Sequence, residues 1–368
     1  MAIKIYVPGD AAAVCVGADD VAREIANAAR ARSIEVEIVR NGSRGMLWLE
    51  PMIEVATAAG RIAYGPVSVQ DLPGLFDAGF LDGAAHALHI GRPEDHPYLK
   101  GQTRLAFARC GITDPLSLDD YRAYDGFKGL ERAIALGPVA TVEEVLTSGL
   151  RGRGGAGFPT GIKWRTVAET KGDQKYIVCN ADEGDSGTFA DRMMMEGDPL
   201  CLIEGMTIAG LATGATKGYV YLRSEYPHAI VAMNAAIEVA RDAGYLGPRI
   251  AGSAYAFDME VRVGAGSYVC GEETALLESL EGKRGQVRAK PPLPAHQGLF
   301  CKPTVINNVI SLASVPFIMA KGGAAYRDFG MGRSRGTMPI QLAGNIKHGG
   351  LFEVAFGITL GELVNDIG

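Results

Sequence analysis

Residues 151–161 read R-G-R-G-G-A-G-F-P-T-G, with five glycines in the ten residues from Gly152 onward. Glycine is disfavoured inside helices and strands, and it is common where the backbone turns sharply or approaches a ligand closely. The run therefore predicts an irregular loop whose amide groups can face a phosphate or a flat ring. Phe158, in the middle of the run, is a candidate platform for ring stacking. The alternative is a glycine-rich surface turn.

The same run contains the spacing G-x-G-x-x-G at residues 152–157. That spacing marks a dinucleotide-binding loop only when a strand precedes it and a helix follows it. A helix is predicted before it instead, over 142–148, because T-V-E-E at 141–144 has the spacing of a capping box. The ordinary Rossmann interpretation therefore fails. A P-loop is excluded as well, because Lys163 stands between an isoleucine and a tryptophan.

An apolar strand predicted over Tyr176–Cys179 runs directly into the polar residues Asn180, Asp182, Glu183 and Asp185. In α/β proteins, ligand contacts lie at the carboxyl ends of buried strands. Asn180 and Asp182 have the amide and carboxyl groups needed to bind a nucleobase or a flavin ring. The alternatives are a solvated acidic loop or a metal site, although no histidine lies near these acids.

Residues 264–276 read G-A-G-S-Y-V-C-G-E-E-T-A-L, and the two glutamates, Glu272 and Glu273, precede a helix predicted over Thr274–Leu280. Carboxylates in the first turn of a helix favour its positive end, which is a purely structural explanation of this pair. The glycines on either side of a short apolar run also fit a ligand-lining segment.

Two further motifs lie downstream. Residues 283–295 carry four cations beside a double proline and could meet an anionic ligand, or form a plain solvated loop. Residues 302–309 read K-P-T-V-I-N-N-V, so that a strand ends in the pair Asn307 and Asn308, which are also ordinary turn residues.

Composition excludes several classes of protein. The 36 basic and 42 acidic residues give a net charge of −6, whereas a general nucleic-acid surface needs a basic excess. The longest apolar stretch, 309–320, is too short to cross a bilayer core about 30 Å thick, so no membrane span is expected. The chain starts without a signal region, which favours a cytoplasmic protein.

The six cysteines show no C-x-x-C spacing, so we expect mostly buried thiols and no metal site.

The order of predicted elements divides the chain into four parts and favours an α/β fold. Residues 1–90 follow the β-α-β, β-β-α order of a small thioredoxin-like domain. Residues 91–128 form a connector with one short helix near 103–109. Residues 129–330 alternate helices and strands as in a Rossmann-like α/β domain, and 335–368 begin a β-grasp (SLBB) domain.

Taken together and in this order, the motifs resemble one family over residues 126–368. It is the flavin- and NAD-binding subunit of respiratory NADH dehydrogenases, NAD-reducing hydrogenases and NAD-dependent formate dehydrogenases. The front region, with N-G-S-R-G-M-L-W-L-E-P at 41–51, is most similar to the beta subunit of molybdenum-containing NAD-dependent formate dehydrogenase.

The resemblance implies FMN and NAD(H) as cofactors and assigns cofactor-binding residues, with no side chain acting as a catalyst. It assigns Gly152, Arg153, Gly154 and Gly155 to the loop against FMN, and Lys163 to its phosphate and ribityl chain. It assigns Phe158 to stacking with NADH, and Lys290 to its pyrophosphate. The isoalloxazine ring is assigned to Asn180, Asp182 and Glu183. Asp185 corresponds to a frequent glutamate near the adenosine ribose. The flavin and nicotinamide are lined by Tyr268, Gly271, Glu272 and Glu273, and the FMN phosphate lies above Ile306, Asn307 and Asn308.

The implied function is a diaphorase. NAD(H) exchanges a hydride with FMN, and FMN exchanges single electrons with iron–sulfur clusters in partner subunits. In the formate dehydrogenase setting, formate is oxidised to CO2 on a partner molybdenum subunit and NAD⁺ is reduced. The alternatives are the equivalent subunit of NADH:quinone oxidoreductase or of an NAD-reducing hydrogenase, or a non-catalytic docking scaffold.

Related subunits carry iron–sulfur clusters, and this sequence departs from them. Only Cys15 lies within residues 1–109, so a four-cysteine [2Fe–2S] site cannot form in the front region. The family's [4Fe–4S] cysteines lie downstream of the β-grasp-like domain, so these ligands are absent from the 368 residues.

Overall fold

The computed structural model describes residues 2–368. In the front region, a five-stranded sheet has the strand order β2-β1-β3-β4-β5, with β1 and β2 parallel and the other pairs antiparallel. Helix α2 buries Val21, Ile25 and Ala29, at helical spacing, in the core of this sheet. The elements are β1 (Ile3–Tyr6), α1 (Ala11–Val14), α2 (Ala18–Ala31), β2 (Val36–Val39), β3 (Ile53–Thr57), β4 (Gly60–Tyr64), α3 (Leu72–Ala78) and β5 (His89–Gly91).

The segment that follows contains two short helices, α4 (Pro97–Lys100) and α5 (Leu118–Ala123). The helix predicted near 103–109 is wrong. This stretch is irregular, because the backbone N–H groups of Ala106 and Phe107 donate to the buried carboxylate of Glu353 (3.0 and 2.9 Å) instead of to carbonyls of a preceding helical turn.

The central region is built around the parallel sheet β8-β7-β6-β9. Its elements are α6 (Lys128–Leu136), α7 (Pro138–Ser148), α8 (Thr160–Glu169), β6 (Tyr176–Ala181), α9 (Ala190–Gly197), α10 (Pro199–Thr213), β7 (Lys217–Leu222), α11 (Pro227–Asp242), β8 (Asp258–Val263), α12 (Glu273–Leu280), α13 (Pro294–Gln297), β9 (Thr304–Asn308), α14 (Val309–Ala313), α15 (Val315–Lys321) and α16 (Gly323–Arg327). The predicted α/β organisation is confirmed, and the structure shows that the central sheet is parallel.

Helix α7 ends at Ser148 as predicted, but it begins four residues earlier than the predicted Val142. Gly137 and Pro138 start the helix, since proline is favoured in the first turn. Thr141 lies inside it, and its hydroxyl donates to the carbonyl of Gly137 (2.8 Å), so the predicted capping box is wrong.

The last part of the chain forms two separate two-stranded antiparallel sheets that pack on both preceding regions, and the second of them is the C-terminal hairpin. The elements of this last part are β10 (Gly330–Met331), β11 (Ser334–Arg335), β12 (Thr337–Leu342) and β13 (Gly350–Ala355), followed by a π-helical turn over Glu362–Ile367. The N–H of Leu351 donates to the carbonyl of Gly45 (3.0 Å), and that of Thr103 donates to the carbonyl of Glu353 (2.9 Å). The thioredoxin-like and β-grasp assignments of the outer parts stay predictions.

The front and central regions meet at the end of α9. A Cβ on Gly42 would lie 2.6 Å from the Cα of Gly197, so only glycine fits between the two backbones. The carboxylate of Glu196 accepts a hydrogen bond from the N–H of Ala11 (2.7 Å). Asp10 and Glu50 are also buried at this junction.

Candidate functional site

A cavity of about 700 Å³ opens at the carboxyl ends of the central strands. Asn180, in β6, pairs in register with Asn308, at the end of β9. From β6 the chain passes to β7 and then β8 on one side, and it returns to β9 on the other side of β6. Such a reversal of strand order is where α/β sheets bind ligands. The sequence-predicted residues that line this cavity are Arg153, Gly154, Gly155, Asn180, Glu183, Asp185, Tyr268, Gly271, Glu272 and Asn308.

Eight predicted residues do not line the cavity itself: Gly152, Phe158, Lys163, Asp182, Glu273, Lys290, Ile306 and Asn307. Some of them contact a lining residue directly, as Lys290 does through its ion pair with Glu272 (3.0 Å). The indole N–H of Trp164 donates to the side-chain oxygen of Asn307 (2.9 Å), which holds this amide in place below the strand end. Phe158 is half exposed on the glycine loop.

The glycine loop approaches the end of β9 closely. A Cβ on Gly154 would lie 3.1 Å from the Cβ of Asn308, whereas Gly155 has a φ of +105° and nothing within 4 Å of its missing side chain. The loop can therefore present bare backbone to the cavity. The N–H of Arg153 donates to the hydroxyl of Ser311 (2.8 Å) and so fixes the loop on α14.

Arg153 lines the cavity, but its guanidinium is engaged elsewhere. It donates to the carbonyls of Arg151 (2.7 Å), Arg335 (2.6 Å) and Thr337 (3.1 Å), and to the hydroxyl of Tyr326 (2.9 Å). These bonds attach the glycine loop to the C-terminal hairpin. The side chain thus orients the loop, and four of its N–H···O hydrogen bonds are made within the chain, to neutral acceptors.

Two lysines meet two glutamates at one end of the site. Lys163 Nζ donates to the carbonyl of Ile306 (2.8 Å) and lies 3.4 Å from Glu273. Lys290 Nζ contacts Glu272 (3.0 Å) and Glu273 (2.8 Å). These four side chains form a compact, nearly neutral network that can rearrange around an anionic ligand.

Glu272 also caps helix α12. Its carboxylate accepts from the N–H groups of Thr274 (2.8 Å) and Ala275 (2.9 Å), as the structural explanation of this motif requires. Burial acts to raise the pKa of Glu272, but the hydrogen bonds from Thr274, Ala275 and Lys290 outweigh it and lower the pKa to about 2.

Three carboxyl groups that line the cavity, those of Glu183, Asp185 and Asp191, follow strand β6 and form the acidic side of the site. Glu183 has a φ of +38° and accepts hydrogen bonds from the N–H groups of Asp191 (2.9 Å) and Arg192 (3.1 Å) and from the hydroxyl of Tyr226 (3.0 Å). It therefore caps helix α9. Burial raises the pKa of Glu183 despite these donors.

Asp182 is buried next to the cavity, and its carboxylate accepts no hydrogen bond from any residue of 2–368. Burial raises the pKa of Asp182 to about 6, and the charge of Arg223 opposes this rise only in part. A Cβ on Gly184 or on Gly271 would lie 3.0 or 3.2 Å from its Oδ2. Glycine at these positions leaves room for a ligand donor beside this carboxyl group.

Sequence reasoning missed Asp191, which is buried and lines the cavity. It accepts a hydrogen bond from the side-chain amide of Asn308 (2.7 Å), while the oxygen of Asn308 caps α14 through the N–H of Ile310 (2.9 Å). Burial, followed by the nearby charge of Glu183, raises the pKa of Asp191 well above its usual range. In the sequence, Asp191 looks like an ordinary acid in the first turn of a helix, so no local pattern indicated its place in the site.

Other missed lining residues are Gly184, Thr188, Ala190, Val269, Ile310, Met338, Pro339 and Gln341. The last three belong to β12, in the C-terminal hairpin. Tyr268 and Asp185, both predicted, are in direct contact across the opening, through a hydrogen bond from the tyrosine hydroxyl (2.8 Å).

Within residues 2–368, no group of three or more His, Cys, Asp or Glu side chains is arranged to hold a metal ion. Cys110, Cys179, Cys201 and Cys270 are buried, whereas Cys15 and Cys301 are exposed. No helix of these residues is both long and apolar enough to cross a membrane.

Residues 145–317 match the family model described as the Nuo51 FMN-binding domain. The chain is 51% identical over 269 residues to the NADP-reducing hydrogenase subunit HndC of Solidesulfovibrio fructosivorans, covering 73% of this chain and 55% of that relative. It is 44% identical over 240 residues to the alpha subunit of the NAD-reducing hydrogenase HoxS of Cupriavidus necator, covering 65% of this chain and 40% of that relative. Further relatives are NADH-quinone oxidoreductase subunits, one of them from Rhizobium meliloti, 50% identical over 256 residues, covering 69% of this chain and 61% of that relative. The chain thus spans about half the length of these curated relatives.

A crystal structure of an NAD+-reducing [NiFe]-hydrogenase in the H2-reduced state aligns with 99% of this chain and 60% of the matched chain, at 28% identity and a TM-score of 0.63. The predicted resemblance to flavin- and NAD-binding subunits of this kind is confirmed. The relatives named here are hydrogenase and quinone oxidoreductase subunits, so the closer resemblance to the beta subunit of a formate dehydrogenase stays a prediction.

Proposed function

We propose, from the match of residues 145–317 to an FMN-binding domain, that this chain is a diaphorase subunit that moves electrons between NAD(H) and iron–sulfur clusters. The observation that carries the proposal is the cavity at the ends of β6 and β9. Its volume of about 700 Å³ lies within the range of small-molecule sites. Lys163 and Lys290 lie beside the cavity, paired with Glu272 and Glu273, and further carboxyl groups line the cavity itself.

The chain's own residues fit FMN. The glycine loop offers bare backbone beside Asn308, and the carboxyl group of Asp182 lacks a partner among residues 2–368. Lys163 would hold the phosphate, supported by Asn307, because an ammonium group forms charge-assisted hydrogen bonds with phosphate oxygens. Asn180, Asp182 and Glu183 would hold the ring, with NADH above it against Phe158 and Lys290. When bound, FMN couples the two-electron exchange with NAD(H) to one-electron exchange with clusters.

We also propose the wider setting. The partners are iron–sulfur subunits and a molybdenum subunit that oxidises formate, so that formate and NAD⁺ give CO2 and NADH. The front region supports this, since it has a single cysteine and cannot bind a four-cysteine cluster. We propose the four-part organisation at 1–90, 91–128, 129–330 and 335–368 on the order of the elements. A [4Fe–4S] cluster would need ligands from outside these residues.

Purification tests the central proposal directly. The chain is expected to be yellow and to release FMN on denaturation, and the FMN-loaded chain is expected to reduce an artificial dye with NADH. A colourless chain that takes up no flavin during reconstitution would contradict the proposed function.

Lys163→Met is expected to lower the FMN content of the purified chain severalfold, because the phosphate loses its charged donor. Flavin per protein is measured from absorbance after denaturation. Arg165→Met is the matched control, since Arg165 is on the same helix and pairs with Glu143 at the surface. Full FMN content in the Lys163 variant would remove this lysine from the site.

Phe158→Ala and Lys290→Ala are each expected to raise the KM for NADH severalfold and to leave FMN content unchanged. Stacking contributes about 0.5–1.5 kcal/mol beyond burial, and Lys290 would exchange its glutamates for a pyrophosphate. Steady-state NADH:dye kinetics measure the effect. Tyr124→Ala, at another half-exposed aromatic residue, controls for loss of surface area. Unchanged KM values in both variants would place NADH elsewhere.

A further inference from the structure

The C-terminal hairpin supplies one wall of the cavity, through Met338, Pro339 and Gln341. The hairpin is firmly held in this position. Glu353, in β13, is fully buried and accepts hydrogen bonds from Ala106, Phe107 and the hydroxyl of Thr337. The wall is therefore a fixed part of the site.

The side-chain amide of Gln341 has one defined orientation. Its Oε1 accepts a hydrogen bond from the backbone N–H of Phe189, the residue before helix α9. A backbone N–H can only donate, so the oxygen must face Phe189 and the nitrogen must face away from it. Nε2 donates to no residue that the structure describes, which leaves its two N–H groups available at the cavity wall.

The charges around the cavity indicate which part of a ligand meets this donor. Phe189 lies between Glu183 and Asp191, so Gln341 is at the acidic side of the site. The ammonium groups of Lys163 and Lys290 instead surround Glu273. These two lysines can exchange their glutamates for a phosphate, whereas the lining beside Gln341 offers carboxyl groups, so we expect the uncharged ring of a cofactor there.

We propose that Gln341 is a cofactor-binding residue that donates a hydrogen bond from Nε2 to a carbonyl oxygen of the flavin ring. This inference rests on the proposed function and assigns a flavin contact to the C-terminal hairpin. A nicotinamide carbonyl offers the same chemistry, and the experiment below distinguishes the two.

Gln341→Glu keeps an acceptor for the Phe189 N–H, removes both donors and adds a charge, so it is compared with Gln341→Met, which adds no charge. Flavin-free chain is titrated with FMN and with riboflavin, and binding is followed by flavin fluorescence. We expect about tenfold weaker binding of both flavins, the effect of losing one hydrogen bond and leaving an acceptor unmet. Gln341→Met, of similar size but without donor or acceptor, is expected to weaken both flavins as well.

Lys163→Met is expected to weaken FMN alone, since riboflavin has no phosphate, and Gln70→Glu, at an exposed glutamine, is expected to change neither affinity. Flavin affinities of Gln341→Glu within twofold of the unmodified chain, together with an unchanged KM for NADH, would overturn the proposal. If the flavin affinities of Gln341→Glu stay within twofold but its KM for NADH rises, the contact is to nicotinamide and the flavin assignment is overturned. If the unmodified chain binds neither flavin, the proposed function itself fails.

Discussion

Gly154→Val is expected to weaken FMN binding about 100-fold, or about 2.8 kcal/mol, while the chain stays folded. A Cβ at this position would already lie 3.1 Å from the Cβ of Asn308. Valine adds two further carbons, which must displace Asn308 or enter the cavity. Asn308 caps α14 and bonds to Asp191, so its displacement would disturb the floor of the site. Fluorescence titration with FMN measures the loss.

Gly74→Val is the matched control, because it makes the same substitution on an exposed helix position where the nearest atom to a Cβ is 3.7 Å away. Gly154→Ala should give an intermediate effect, since Asn308 must move by only a few tenths of an ångström. Tight FMN binding by Gly154→Val would show that the cofactor does not lie against this loop.

Thermal stability is expected to fall as pH rises from 6 to 9, with Tm decreasing by roughly 5–10 °C. Burial raises the pKa of Asp10 to about 6, of Glu196 to about 7 and of Glu50 to about 8, and the charge of Asp10 adds to the rise in both glutamates. The folded chain therefore binds more protons than the unfolded chain does. The stability that these protons provide is complete at low pH and is lost as pH rises through 6–8.

Glu196→Gln is expected to flatten this pH profile and to raise Tm at pH 9. Glutamine keeps an acceptor for the N–H of Ala11 and replaces the buried Oε1, which has no partner among residues 2–368, with a neutral donor. Glu169→Gln, at an exposed glutamate, is expected to leave the profile unchanged. Calorimetry between pH 6 and pH 9 measures both. Equal slopes for the unmodified chain and Glu196→Gln would mean that Glu196 contributes no proton-linked stability.

The sequence predicted the site residues at the strand ends better than the residues that enclose the cavity from other segments. Asn180 and Asn308 could be placed because each follows an apolar run, and the ends of neighbouring parallel strands share one edge of a sheet. The hydrogen-bond partners of a side chain could not be predicted in the same way. Arg153 was expected beside the flavin, but the sequence does not reveal that backbone carbonyls from residues 335 and 337 meet its guanidinium.

Residues that reach the site from distant segments were missed for the same reason. Gln341 is 152 positions from Phe189, and no local pattern reports a contact over that distance. Asp191 follows its strand by ten residues and resembles any helix-capping acid in sequence. Hydrophobic periodicity defines which face of an element is buried, but the partner of that face depends on the packing of whole elements.

Helix α9 also connects the cavity to the front region over about 12 Å, since each helical residue rises 1.5 Å. Asp191 stands in the cavity at one end, and Glu196 holds Ala11 of the front region at the other. Coupling between two ends of one rigid element is reciprocal. If an occupied cavity favours the docked arrangement of the front region by some factor, the docked arrangement must favour cofactor binding by that same factor. Under the proposed function, the docking of the front region would in this way act on the flavin site through one helix, although that region contributes no residue to the cavity.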